Sequence, residues 1–275
     1  MTSTPIRNVL SIAGSDPSGG AGIQADLKAF AARGCYGMAA ITALTAQNTQ
    51  GVSAVVPLDP EFVGEQIRMV FADVHVDAVK IGMIANAGIA RAVAEALKPH
   101  RGIPIVLDPV MIAKGGASLL DPDAVEALKT ELLPLATLLT PNLPEAAALL
   151  GDPEACDRRI MESQAIRLTT LGPRGVLIKG GHLAGGESPD VLVADGKVTW
   201  FEAERIETRN THGTGCSLSS ALAAELAKGR SVEEAVRTAK TWLREAVRTS
   251  DSLSVGSGHG PVHHFHALWQ APTPA

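Results

Sequence analysis

Short apolar runs rich in β-branched residues alternate along this chain with longer Ala-rich stretches whose apolar positions recur at helical spacing. The first pattern predicts buried strands and the second amphipathic helices. Strands are expected over 9–13, 38–44, 52–57, 78–81, 103–107, 136–140 and 175–179. Helices are expected over 22–32, 60–71, 87–97, 121–132, 144–150 and about 157–169. Asp59 is placed as the N-cap of the second helix, and Gly151 stops the fifth. Asp195-Gly196 separates apolar runs at 190–194 and 197–202, a strong hairpin signal. Two long helices follow, 214–228 and 232–249, with Gly229 suited to the C′ position of the first and Ser231 to the N-cap of the second.

This alternation predicts a three-layer α/β/α architecture, with a mostly parallel central sheet and an antiparallel hairpin at one edge. A single domain over 1–275 is expected, since no repeat or low-complexity linker interrupts the pattern. Polar, Gly-rich sequence sits at the strand ends: 14–22, Gln47-Asn48, Gly82-Met83, Asp108-Pro109, Asn142 and 179–182. Open α/β sheets bind ligands outside the carboxyl ends of their strands, so these segments are expected to converge on one site.

Composition narrows the function classes. With 45% hydrophobic residues in 275, a large core can be buried. Aromatics are only 3%, too few for a base-stacking surface, and a net charge of −5 disfavours binding along a nucleic-acid backbone. A small anionic ligand needs only a few local donors and is not excluded. Cys35, Cys156 and Cys216 are widely spaced and odd in number, which fits a reducing compartment. The polar start and the short apolar run at 9–13 provide neither a signal segment nor a membrane span, so a cytoplasmic protein is expected. The tail at 270–275 is expected to be disordered.

Within 14–26, Gly20-x-Gly22-x-x-Ala25 superficially matches a dinucleotide fingerprint. Gly20 lies too far past the strand, however, and the second strand lacks a terminal acid for a ribose. No Gly-Lys-Ser/Thr follows, so this is not a Walker loop either. A flexible turn is the plain reading, and a loop packed close to a ligand, with Asp26 on the next helix, is the favoured one.

The run Thr211-His212-Gly213-Thr214-Gly215-Cys216 opens a strongly helical segment. Glycines there let backbone N–H groups converge on an anion, helped by the helix dipole. Cys216 at that terminus is expected to have a lowered pKa and thiolate character, against the alternative of an inert buried thiol. Asn142 and Glu145 stand at a strand-to-helix turn, where a capping arrangement and a Mg²⁺ site are equally good readings. Four histidines fall within 259–266, but without cysteine or carboxylate among them a structural segment is favoured over zinc. Lys179 and Lys240 are candidates to face phosphates, although a lone Lys is more often solvated. Asp108, at a strand end, is the stronger functional candidate.

Together these segments resemble the hydroxymethylpyrimidine/phosphomethylpyrimidine kinases of thiamine biosynthesis, a branch of the ribokinase-like superfamily. The resemblance is carried by 12–28, 41–48, 79–83, 107–111, 140–145, 179–182, 211–216 and 260–265, nearly the whole chain. It implies a ribokinase-like fold, use of ATP with Mg²⁺, two successive phosphorylations and a homodimer; it leaves open whether a monovalent cation assists. Gln47 would bond the aminopyrimidine edge, Asp26 and the Gly14 backbone would hold the hydroxymethyl end, and Met83 and Val110 would line the ring. Gly213, Thr214, Gly215 and Cys216 would form the anion hole, with Cys216 where many ribokinase-like sugar kinases have Asp. Asn142, Glu145 and Asp108 would organise Mg²⁺, and Lys179, Thr211 and Lys240 would lie near ATP. The segment 113–118 would be a lid that excludes water. Two rivals remain: a pyridoxal kinase of the same fold and a pyrimidine-binding sensor that consumes no ATP.

Overall fold

The structure, a computed structural model, describes residues 5–111 and 122–269. The expected lid at 113–118 and the tail at 270–275 lie outside them. Strand β1 (Asn8–Ala13) leads into helix α1 (Gly22–Ala32), then β2 (Tyr36–Ile41), β3 (Ala43–Asn48), β4 (Gly51–Pro57) and α2 (Pro60–Asp73). Next come β5 (Ala78–Ile81), α3 (Ala87–Leu97), β6 (Ile105–Leu107), α4 (Pro122–Ala127), β7 (Leu138–Leu139), α5 (Leu143–Leu150) and α6 (Arg158–Thr169). The chain continues through β8 (Gly175–Lys179), β9 (Asp190–Ala194), β10 (Lys197–Phe201), α7 (Thr214–Ala227) and α8 (Val232–Arg248).

Eight strands form one sheet in the order β10-β9-β8-β7-β6-β5-β1-β2. Pairings from β8 through β2 are parallel, while β8–β9 and β9–β10 are antiparallel. This is the expected mostly parallel sheet with an antiparallel edge. The Asp195-Gly196 turn has φ of 50° and 72°, the left-handed pair that a two-residue hairpin requires.

Two apolar clusters cover the two faces. One joins α2 to α6 to strand residues such as Leu10, Ile12, Val79 and Ile81. The other joins α1, α7 and α8 to Val9, Ala78, Val106 and Leu138. Because strand side chains alternate, Ser11 and Lys80, which are register partners, point to the second face among Val9 and Ala78. The caps follow the sequence: Asp59 accepts from Phe62 N, and Ser231 forms a capping box with Glu234.

The main departure concerns 38–44. The chain breaks at Thr42, whose N–H bonds Ala13 O and whose Oγ1 donates to Met83 O at 2.6 Å. Beyond it β3 leaves the main sheet and pairs with β4 as a separate two-stranded sheet. Strand order also reverses about β1, where β5 and β2 flank it, and this opens a crevice at the strand ends. The expected strands at 103–107 and 136–140 shorten to Ile105–Leu107 and Leu138–Leu139. The helix expected over 121–132 gives way to a π turn at Leu128–Leu132.

Candidate active site

A cleft of about 900 Å³ lies across the carboxyl ends of β1, β5, β6, β7 and β8. Its lining brings together Gly14, Gln47, Met83, Asp108, Val110, Asn142, Glu145, Lys179, Thr211, Gly213, Thr214, Gly215, Cys216 and Lys240. These are the sequence-expected site residues with one exception. Asp26 is fully buried and is not among the lining residues. Its carboxylate accepts from Lys80 Nζ (2.9 Å to each oxygen), Ser11 Oγ (2.6 Å) and Ser220 Oγ (2.7 Å). A contact from Asp26 to a hydroxymethyl group is therefore corrected to a supporting role beneath the cleft floor.

The anion turn is built by close backbone approach. Gly213 has φ of 74°, and a Cβ there would fall 1.8 Å from Gly20 O. Only glycine combines that conformation with that contact. The turn thus rests against the first glycine loop, and α7 begins with the N–H groups of Gly215 and Cys216 as first-turn donors that the helix cannot use itself. A Cβ on Gly215 would lie 3.4 Å from Lys179 Nζ and 3.6 Å from Asp108 Oδ2. Backbone donors, a cation and a carboxylate therefore meet within a few ångströms.

Lys179 Nζ donates to Asp108 Oδ1 at 2.8 Å and stands 3.9 Å from Glu145 Oε2. Thr140 Oγ1 (3.2 Å) and Ser219 Oγ (3.4 Å) also donate to Asp108. Burial works against the charge on Lys179, but Asp108 and Glu145 outweigh it and raise its pKa. Burial pushes the Glu145 carboxyl up to about 7, with Asp108 adding to the rise and Lys179 opposing it. Asn142 and Glu145 form a full capping box: Asn142 Oδ1 accepts from Glu145 N and Glu145 Oε2 from Asn142 N. The capping reading is realised, yet both residues still line the cleft.

Among the described residues no group of three or more His, Cys, Asp or Glu could hold a metal ion, so a cage made wholly of protein is absent. Asp108 and Glu145 instead offer two carboxylates beside the anion turn. That donor set fits Mg²⁺, which commonly takes one or two carboxylates and completes its shell with phosphate oxygens and water. The C-terminal histidines fit the structural reading: burial lowers His264 to about 3, and its Nε2 lies 2.8 Å from Ser217 Oγ.

The expected thiolate at Cys216 is corrected as well. Burial raises its pKa to about 11; Lys80 and the Gly22 N–H pull it down, while Asp26 and Asp108 add to the rise. Cys216 does stand in the first turn of α7, but burial is the dominant influence on its thiol. Lys240 is drawn to Asp190 Oδ2 and to Ser188 O (3.2 Å) on the cleft wall.

Sequence reasoning missed three lining residues. Asp16 accepts from Ser18, Gly20 N, Ala21 N and His212 Nε2 (2.8 Å), which clamps the glycine loop to the anion turn. Burial raises its pKa, but His212, Ser18 and Ala21 hold it well below the usual carboxylate range. His212 Nε2 is also 3.2 Å from Gln47 Nε2. Lys80 is fully buried, and a lysine inside the otherwise apolar run Ala78–Ile81 was the available signal for it.

A family model described as phosphomethylpyrimidine kinase matches residues 16–263. The hydroxymethylpyrimidine/phosphomethylpyrimidine kinase of Salmonella typhimurium is 54% identical over 262 residues, covering 95% of this chain and 98% of the relative. Among solved structures, a phosphomethylpyrimidine kinase from Clostridium difficile superposes with a TM-score of 0.78 at 44% identity, covering 88% of this chain and 99% of that one. An ADP complex of Bacillus subtilis pyridoxal kinase superposes with a TM-score of 0.87 at 37% identity, covering 96% and 99%.

Proposed function

The chain belongs to the phosphomethylpyrimidine kinase family, and we propose that its cleft carries out both phosphorylations of the pyrimidine branch of thiamine biosynthesis. The protein is a kinase. It moves a phosphoryl group from ATP to hydroxymethylpyrimidine, then a second one to the phosphate so formed. The observation that carries the reading is the meeting of the Gly213–Cys216 donors with Asp108 and Lys179 at the floor of one cleft. Phosphoryl transfer depends on positioning and charge neutralisation more than on covalent chemistry, and this arrangement provides both.

The first-turn N–H groups of α7 would hold the transferring phosphoryl oxygens, with Lys179 and Lys240 beside the phosphate chain. Asp108 and Glu145 would hold Mg²⁺, which when bound neutralises phosphate charge; a monovalent cation could occupy the same anionic wall. Gln47 would orient the aminopyrimidine, with Met83 and Val110 against its ring, and the Gly14 backbone would face the hydroxymethyl group. In the first transfer the Cys216 thiolate takes the hydroxyl proton. The substrate O–H breaks and S–H forms, while the oxygen bonds the γ-phosphorus and ADP leaves. In the second transfer the acceptor is already a largely ionised phosphate and needs no base.

Use of ATP places the protein in the cytoplasm in this reading, and a homodimer is its assembly. The exposed apolar side chains Leu44, Val55 and Val56 on the β3–β4 sheet support that assembly. Among the described residues no helix is long and apolar enough to cross a membrane. The pyridoxal kinase likeness supports a second reading, pyridoxal as an alternative acceptor. A coupled ADP-release assay decides: release with hydroxymethylpyrimidine supports the proposal, and none from folded protein overturns it. Faster turnover of pyridoxal would favour the second reading.

A further inference from the structure

Beneath Cys216 lies a buried polar cluster of which only Lys80 lines the cleft. Ser11 on β1 and Lys80 on β5 are register partners facing α1 and α7. Asp26 from α1 and Ser220 from α7 close the cluster, and all four are fully buried. The two helices approach it with matched spacing. Cys216 and Ser220 are one turn apart on α7, and Gly22 and Asp26 are one turn apart on α1. Ser220 Oγ bonds Asp26 at 2.7 Å, so Cys216 and Gly22, one turn back on each helix, stand side by side, and the Gly22 N–H pulls the sulfur's pKa down. Sulfur and carboxylate therefore sit on one seam between the helices. Lys80 spans it, bound to both Asp26 oxygens at 2.9 Å while still lining the cleft. A Cβ on Gly82 would fall 2.7 Å from its Nζ, so only glycine at 82 leaves room for the ammonium where it binds Asp26.

Burying a salt bridge this completely is weak as a stability device, because desolvation offsets most of the attraction. We propose that Lys80, locked by Asp26, is a positioning residue for proton transfer at Cys216: its buried ammonium is the counter-charge of the thiolate that accepts the substrate's hydroxyl proton. The inference rests on Cys216 as the proton acceptor in the proposed function. The charged groups facing the sulfur are Lys80 from β5, Asp26 from α1, Asp108 after β6 and Lys179 at the end of β8. Lys80 favours the thiolate, whereas Asp26 and Asp108 oppose it. The thiol proton leaves to solvent before the step, and the S–H formed in the step returns its proton the same way after ADP departs.

Removing the two members of the pair should therefore act in opposite directions, which a loss of packing would not do. Cys216 is alkylated with iodoacetamide at pH 7 to 9, and its labelling rate is read by peptide mass spectrometry in folded full-length protein. The thiolate is the reacting species, so each unit of pKa changes the rate about tenfold. Lys80→Met is expected to slow labelling about tenfold or more, Asp26→Asn to speed it, and Lys80→Arg to leave it near the parent rate. If Lys80→Met does not fold, Lys80→Gln makes the same comparison while keeping a donor toward Asp26. Unchanged rates, or changes in the same direction for both sites, overturn the proposal. The readout needs no turnover, so ADP release from ATP remains the separate measure on which the kinase reading stands or falls.

Discussion

Lys179 donates to Asp108 at 2.8 Å, which ties the end of β8 to the end of β6 beside Gly215. Both groups are largely withdrawn from water, with side chains 15% and 2% exposed. Removing the cation leaves Asp108 and the nearby Glu145 without their counter-charge, and stranding a buried carboxylate is strongly destabilising. Lys179→Met is expected to lower stability by about 3 kcal/mol in urea unfolding at pH 7. The deficit should shrink at pH 5, as Glu145, already raised by burial, takes up its proton. Parent-like stability at both pH values would show that the pair contributes nothing net.

Glu145 gives a pH dependence of its own. Its carboxyl is raised to about 7 by burial, against an ordinary value near 4.5. The folded state therefore binds the proton more tightly than the unfolded chain does. The resulting stabilisation is fully present below about pH 4 and is lost as pH rises through about 7. Between pH 5 and 8 this contribution should fall by roughly 1–3 kcal/mol. Glu145→Gln, which cannot ionise, should flatten that part of the profile. An unchanged slope in thermal melts of the variant would mean that Glu145 is not the titrating group.

The mostly parallel sheet with its antiparallel edge and the strand-end cleft were legible because each βα unit carries its own local signal: an apolar run, a polar end, a capped helix. The β3–β4 sheet was not. Its residues alternate as a strand should, and only the tertiary hydrogen bonds of Thr42 show where one strand stops and the next begins. Site chemistry divided in the same way. Residues at strand ends and on the anion turn were readable from position, since strand-end position decides access to the cleft. Asp26 and Cys216 were placed correctly in the chain, but the exclusion of Asp26 from the cleft and the raised pKa of Cys216 were missed, because burial is set by neighbouring helices. Lys80 and Asp16 act through partners 54 and 196 residues away, a separation that local spacing cannot reveal.

Two glycines with similar backbone angles separate strain from function. Gly34 has φ of 71° and open space within 4 Å of where a Cβ would stand, whereas Gly213 has φ of 74° and a Cβ position 1.8 Å from Gly20 O. Gly34→Ala is expected to cost about 1 kcal/mol from the left-handed conformation alone and to leave turnover unchanged. Gly213→Ala must also push the anion turn off the glycine loop, and a displacement of about 1 Å can lower kcat/KM about 100-fold. Parallel melts and ADP-release assays make the comparison. Equal behaviour of the two variants would remove the close approach at Gly213 from the catalytic account.

Cys216 should distinguish the two acceptors. A hydroxymethyl group keeps its proton at neutral pH, whereas a phosphate monoester has largely lost its second proton above about pH 6. With the Cys216 thiol pushed up to about 11, the thiolate is scarce at pH 7 and grows with every unit of pH. Transfer to the alcohol is therefore expected to accelerate between pH 7 and 9, while transfer to the phosphate stays nearly flat. Cys216→Ala should slow the alcohol reaction by about 10²–10⁴-fold, the usual range for a positioned base, and the phosphate reaction by less than about tenfold. The variant should also lose the pH slope for the alcohol, because the titrating group is gone. Equal losses for both acceptors, with the slope retained, would assign the thiol to shaping the anion turn and leave the hydroxyl proton to solvent.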